Sequence, residues 1–176
     1  GPTTANTLDA RFGNFPQPSK AISSVEIYFD ASTSMKGYFA SGDGQISNIV
    51  SRFEKIGNNS KIFLVRKNDN VDTYSGYSTD LQNNLNLFDG GSTHFEKLIP
   101  MMCDKSSKGK LAVLVTDGIV YINKNASTAL EQFQNLLAKA LKGKTADKAI
   151  AVLKYSAKFA SKQVGKGGAC YFDMFD

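Results

Sequence analysis

Residues 24–35 read SVEIYFDASTSM. Val25, Ile27 and Phe29 alternate with Glu26 and Tyr28, a period of two that predicts a strand ending at Asp30. A Ser- and Gly-rich loop follows. From Gln45 to Ile56 the apolar residues Ile46, Ile49, Val50, Phe53 and Ile56 recur at steps of three and four. That spacing predicts a helix, with Gly57 as its stop.

The same alternation continues downstream. Lys61–Arg66 (KIFLVR) reads as a second strand, and Val71–Tyr74 as a short third one behind the turn residues Asn68, Asp69 and Asn70. Leu81, Leu85 and Phe88 suggest a short helix starting near Ser78, and Phe95, Leu98, Ile99 and Met102 another. Leu111–Val115 (LAVLV) is the continuous apolar run expected of a strand covered on both faces. Leu130, Phe133, Leu137 and Leu141 line a helix from about Ser127, with Lys139 and Lys142 near its negative end and Gly143 stopping it. Ala149 begins a further strand. After Leu153 two patterns compete. Lys154, Lys158, Lys162 and Lys166 would stripe a helix, whereas Tyr155, Ala157 and Phe159 alternate. The preferred reading is a hairpin through Gly165–Gly168 into Ala169–Phe175. Strands alternating with helices predict an α/β fold: a doubly wound, Rossmann-like, mainly parallel sheet with helices on both faces.

Upstream of Ser24 the texture differs. Residues 3 to about 20 have no sustained period and contain Pro16 and Pro18, so they read as a linker or a strapped-on arm that Phe12 and Phe15 could pin down. Gly1-Pro2 reads as a tag-cleavage scar. The expected organisation is an arm over 1–20 and one domain over 21–176. A length of 176 residues suits one domain, and 41% hydrophobic with 21% charged residues excludes wholesale disorder. Apolar runs such as Leu111–Val115 stop at five residues, against the 18 or more of a membrane helix, which predicts a soluble chain with no membrane segment. Two cysteines, Cys103 and Cys170, exclude a disulfide framework and a zinc cluster, and the single His94 excludes a His-rich metal site. Two reduced thiols are preferred over a 103–170 bridge, which leaves the compartment open.

Three loops stand where strands end, the usual position of sites in open α/β sheets. They are Asp30-Ala31-Ser32-Thr33-Ser34-Met35, Gly90-Gly91-Ser92-Thr93 and Thr116-Asp117-Gly118. Together they offer carboxylates and hydroxyls without thiolate or imidazole. Oxygen-only ligation suits a hard cation, Mg²⁺ or Mn²⁺, that retains waters. With few formal negative charges around it, such an ion stays electropositive and can accept an outside carboxylate.

VEIYFDASTSM, GGSTHF and LVTDG, in this order, resemble the von Willebrand factor A-type (VWA) domain and its metal-ion-dependent adhesion site, over roughly residues 24–160. The resemblance implies a metal ringed by Asp30, Ser32 and Ser34, with Thr93 coordinating directly or nearly so and Asp117 acting through water. It also implies a protein partner that supplies an Asp or Glu to the ion. Each residue has a plainer reading. Thr93 with Glu96 spells a Thr-x-x-Glu capping box for the following helix, and Ser92 could take the Thr93 role by a one-residue shift. Asp117-Gly118 and Asp89-Gly90 could be simple turns, and His94 is expected on the rim rather than among the ligands.

The expected function is therefore a non-enzymatic, metal-dependent protein-interaction module. One alternative is a metal-independent scaffold binding through the basic C-terminal face, since Lys139–Lys166 holds eight lysines against the single acid Asp147. The net charge of +5 is too mild to imply nucleic acid, and no aromatic-interleaved Arg pattern supports RNA recognition. Another alternative is a phosphohydrolase of the haloacid-dehalogenase type. That chemistry needs a second Asp as general acid two residues after the first, where this chain carries Ser32.

Overall fold

A computed structural model describes residues 10–12, 22–40, 44–91, 93–105, 109–118, 129–142, 150–153 and 155–160. In chain order the elements are β1 (Ala10–Phe12), β2 (Ser24–Asp30), α1 (Lys36–Ala40), α2 (Gln45–Glu54), β3 (Asn59–Val65), β4 (Val71–Tyr74), α3 (Phe95–Lys105), β5 (Lys110–Val115), α4 (Ala129–Leu141) and β6 (Ile150–Val152). Short 3₁₀ turns occupy Thr33–Met35, Lys67–Asp69, Ser78–Asn83 and Leu85–Leu87. The chain is of the α/β class, built on a mixed four-stranded sheet of order β4-β3-β2-β5. β2 runs parallel to both β3 and β5, while β4 returns antiparallel along β3.

The alternation in residues 24–30 explains why β2 is central. Val25, Ile27 and Phe29 point into one core cluster with Phe39, Val50, Ile62, Leu64, Leu81 and Phe88. Tyr28 points to the other side, with Phe95, Leu98, Ile99, Met102 and Leu137, and its ring stacks on Phe63 with centroids 4.9 Å apart. A strand apolar on both faces is stable only when both are covered. The Tyr28 hydroxyl donates to Glu26 at 2.7 Å, and Lys110 donates to the same carboxylate at 3.0 Å. Burial first, and the Glu26 contact second, push the Tyr28 hydroxyl far above the ordinary tyrosine range.

Several elements differ in detail from the sequence expectation. α2 stops at Glu54, and Ile56 lies beyond it, 43% exposed, because the chain must turn into β3. Gly57 passes so close to Ser23 that a Cβ would meet the Ser23 carbonyl oxygen at 2.7 Å. β5 is half-buried throughout, since among the described residues it pairs only with β2 and forms the sheet edge. β6 does not extend this sheet. It pairs antiparallel with β1 in a separate two-stranded sheet, Ala10 opposite Val152 and Phe12 opposite Ile150.

Residues 155–160 form neither the expected strand nor a helix. They cross the α1–α2 region, where the Ala160 N–H donates to the Gly37 carbonyl at 2.9 Å and Phe159 packs edge-on against Tyr38. The Phe159 ring fills the space over Gly37, where a Cβ would meet it at 2.1 Å. The tertiary contact to a glycine overrides the local alternation. The hairpin expected through Gly165–Gly168 into Ala169–Phe175, Cys170, Ser92 and Lys144, Lys148, Lys154, Lys162 and Lys166 of the basic stretch lie outside the described residues.

Phe29 is fully buried and meets Phe39 edge-on at 5.8 Å, so Phe29→Ala is expected to leave a cavity under the sheet. Urea unfolding should show a loss of about 3–5 kcal/mol with little change in m-value.

Candidate functional site

Parallel pairing aligns the carboxyl ends of three strands. Asp30 stands opposite Val65, and Phe29 stands opposite Val115, so the loops after β2, β3 and β5 leave the sheet at one level. Asp30, the last residue of the central strand, is only 2% exposed. A carboxylate in that position needs hydrogen-bond donors. The Ser32 N–H reaches its Oδ1 at 3.2 Å, the Thr93 hydroxyl reaches the same oxygen at 2.7 Å, and the Thr116 hydroxyl reaches Oδ2 at 2.7 Å. All three donors are neutral, and none of the ion pairs among the described residues includes Asp30.

The other predicted residues gather beside it. Ser34 donates to Asp117 Oδ2 at 2.6 Å, and the Ser32 and Ser34 hydroxyls lie 3.0 Å apart. The local cause is the 3₁₀ turn Thr33–Met35, anchored by the buried Met35. A short parallel bridge between Ser32 and Gly90 holds the second loop against this turn. The Thr33 N–H and hydroxyl both donate to the Gly90 carbonyl, at 2.9 and 3.1 Å, and the Gly90 N–H donates to Ala31 at 2.9 Å. A Cβ on Gly90 would stand 3.0 Å from the Ala31 carbonyl oxygen, so the approach of the two loops is fitted to glycine.

Thr93 resolves one ambiguity. α3 begins at Phe95, which puts His94 rather than Thr93 next to the first helical residue, and the Thr93 hydroxyl goes to Asp30. His94 is a rim residue, its side chain 52% exposed and its Nδ1 2.6 Å from Asp69 Oδ2. Thr116 is a member of this cluster that sequence reasoning did not single out. Its signal was register: Val115 pairs with Phe29, so the next residue along β5 faces Asp30. Thr116 also accepts the Gly118 N–H at 3.1 Å, with Gly118 in the left-handed region at φ 68°.

Arg66 is the second such residue. Its Nε and Nη2 donate to the two oxygens of Asp89 at 3.2 and 2.9 Å, and its Nε also donates to the Leu87 carbonyl at 3.1 Å. This fork pins the segment leading into Gly90 onto the end of β3, so Asp89 is more than a turn residue. The hydrogen bond from Arg66 holds the Asp89 carboxyl below the ordinary aspartate range, and the same contact raises the guanidinium pKa.

Chemically, Asp30, Ser32, Ser34, Thr93 and Asp117 make a donor set of two carboxylates and three hydroxyls. Among the described residues no group of three or more His, Cys, Asp or Glu side chains could hold a metal. The oxygen-only set fits a hard cation that keeps part of its water shell. Comparison with protein-family models, curated proteins and solved structures finds no match.

The Arg66–Asp89 fork has a pH signature. Because Asp89 has a depressed pKa in the folded state, its contribution is complete above the ordinary value of about 3.9 and disappears as pH falls through the lower folded value. A carboxyl-carbon NMR titration should place the Asp89 midpoint below that ordinary value, and Arg66→Gln should move it back up. Solvent screening keeps the accompanying change in overall stability small.

Proposed function

We propose that this chain is a doubly wound domain of the von Willebrand factor A type that binds Mg²⁺ or Mn²⁺ and uses the ion to hold a carboxylate of a protein partner. Asp30, Ser32, Ser34, Thr93 and Asp117 would hold the ion, with Thr116 orienting Asp30. The observation that carries this reading is the convergence of three loops on a buried carboxylate whose hydrogen-bond partners are all neutral. A bound divalent cation supplies the opposite charge that such a group otherwise lacks, and it gives a partner's Asp or Glu a place to bind. The role is binding rather than catalysis, and oxygen ligation favours a hard ion over zinc.

In a backbone amide NMR titration, Mg²⁺ should shift residues 30–35, 91–94 and 117–119, and Mn²⁺ should broaden the same signals. Saturating Mg²⁺, at about 100 times its Kd, should stabilise the wild type by roughly 2.7 kcal/mol. Asp30→Asn should abolish both responses while its far-UV circular dichroism stays native. A flat titration to several millimolar, or an unchanged response in Asp30→Asn, overturns the metal reading.

A further inference from the structure

Two consecutive residues at the tip of the β3–β4 hairpin, Asn68 and Asp69, adopt the left-handed region, at φ 60° and 57°. The Arg66 N–H closes the turn on the Asn70 carbonyl at 2.8 Å. Glycine takes that conformation without steric cost, whereas a Cβ makes it costly, least so for Asn and Asp. The chain thus carries a side chain at position 69 that the turn itself does not need. That side chain has a use: Asp69 Oδ2 lies 2.6 Å from Nδ1 of His94. An ionised carboxylate can only accept, so Nδ1 carries the hydrogen in this contact. With Thr33 and Gly90 the two residues line one cleft of about 430 Å³, which gathers the hairpin tip and the loops of the candidate site around one space.

His94 stands where its position reaches that site. Thr93, immediately before it, donates to Asp30 at 2.7 Å, and Phe95, immediately after it, is fully buried. The His94 carbonyl accepts the Lys97 and Leu98 N–H groups, both at 3.1 Å, and so opens the first turn of α3. Core packing around Phe95 sets where the helix begins. The Asp69 bond adds a second fixed point, one residue nearer to Thr93, and sets how the chain turns from the helix into the loop.

We infer that Asp69 is a positioning residue for the candidate metal site: by holding His94 it sets the Thr93 hydroxyl against Asp30. Neither Asp69 nor His94 belongs to the donor set around the ion. The inference rests on the metal reading only for its consequence on Mg²⁺ affinity.

The test compares the whole ¹⁵N-labelled chain with Asp69→Gly, Asp69→Asn and His94→Ala. Glycine suits the left-handed region and removes the carboxylate. Asparagine also removes the charge but keeps an oxygen that can accept from Nδ1. Native amide signals over residues 60–64 report an intact sheet in each variant. Without Mg²⁺, at about pH 8, where imidazole is ordinarily neutral, long-range ¹H–¹⁵N spectra should place the His94 hydrogen on Nδ1 in the wild type and in Asp69→Asn. In Asp69→Gly it should move to Nε2. The amide signals of residues 93–95 and the Asp30 carboxyl carbon should shift in Asp69→Gly and His94→Ala and stay near native in Asp69→Asn. The Kd for Mg²⁺ should rise about two- to fivefold in Asp69→Gly, the effect of one exposed polar pair, and Asp69→Asn should restore most of it. The Asp69→Gly, His94→Ala double variant should bind no more weakly than either single one, because both cut the same link. A loss in Asp69→Asn equal to that in Asp69→Gly assigns the effect to charge and overturns the inference, as does an additive double variant. Unmoved Thr93 and Asp30 signals in Asp69→Gly overturn it without any metal. A wild type that ignores Mg²⁺ discards the metal reading, and the metal-free spectra alone then decide the role of Asp69.

Discussion

The carboxylate of Asp30 sits at the end of the middle strand of the sheet, almost without contact with water, and three separate loops each keep a neutral donor on it. Hydrogen bonds to a charged group are each worth about 1.5–3 kcal/mol, and a buried polar group that loses its partner incurs a comparable cost. The positions of Ser32, Thr93 and Thr116 are thus coupled through one side chain. A displacement of any of the three loops uncovers the same carboxylate. That coupling ties the positions of the three loops to one another.

The surroundings of Asp30 divide into an apolar support and a polar rim. Below it, Phe29 and Tyr28 anchor β2 into the two core clusters, and this packing sets the height at which the strand ends. Around it, the second loop is held by polar contacts: the Thr33–Gly90 bonds, the Arg66–Asp89 fork and the Asp69–His94 contact. Core packing is dense and unforgiving of volume changes, whereas exposed polar contacts are individually weak. The strand end is therefore the rigid reference, and the rim is the part held by weaker contacts.

Much of the sheet was legible in the residue pattern. The period of two in Val25–Phe29 and the helical spacing from Ile46 to Phe53 are local signals, and local backbone geometry answers to them directly. The oxygen-rich loops after β2 and β5 were legible too, because Asp30-x-Ser32-x-Ser34 and Asp117 stand just where strands end. The loop carrying Thr93 instead follows 3₁₀ turns and leads into α3 rather than leaving a strand. Where the pattern misled, a long-range contact intervened. Ile56 kept the helical spacing but fell past the end of α2, and Phe159 left its alternation to fill the space over Gly37.

By itself, the sequence determined the strands of the main sheet, the longer helices and which side chains could serve as oxygen donors, since these follow from residue type and short-range spacing. It did not determine the 3₁₀ turns at Ser78–Asn83 and Leu85–Leu87, where a short helix was expected. The tertiary structure decided which donors meet. Thr116 joins Asp30 through β2–β5 register, and Thr93 turns to Asp30 because α3 starts at Phe95. Arg66 clamps Asp89 across 23 positions of chain, and Asp69 reaches His94 across 25. These pairings depend on strand register and loop closure between distant segments. No short window of sequence contains them, because the free energy that selects them is released only when the sheet and its two cores assemble together.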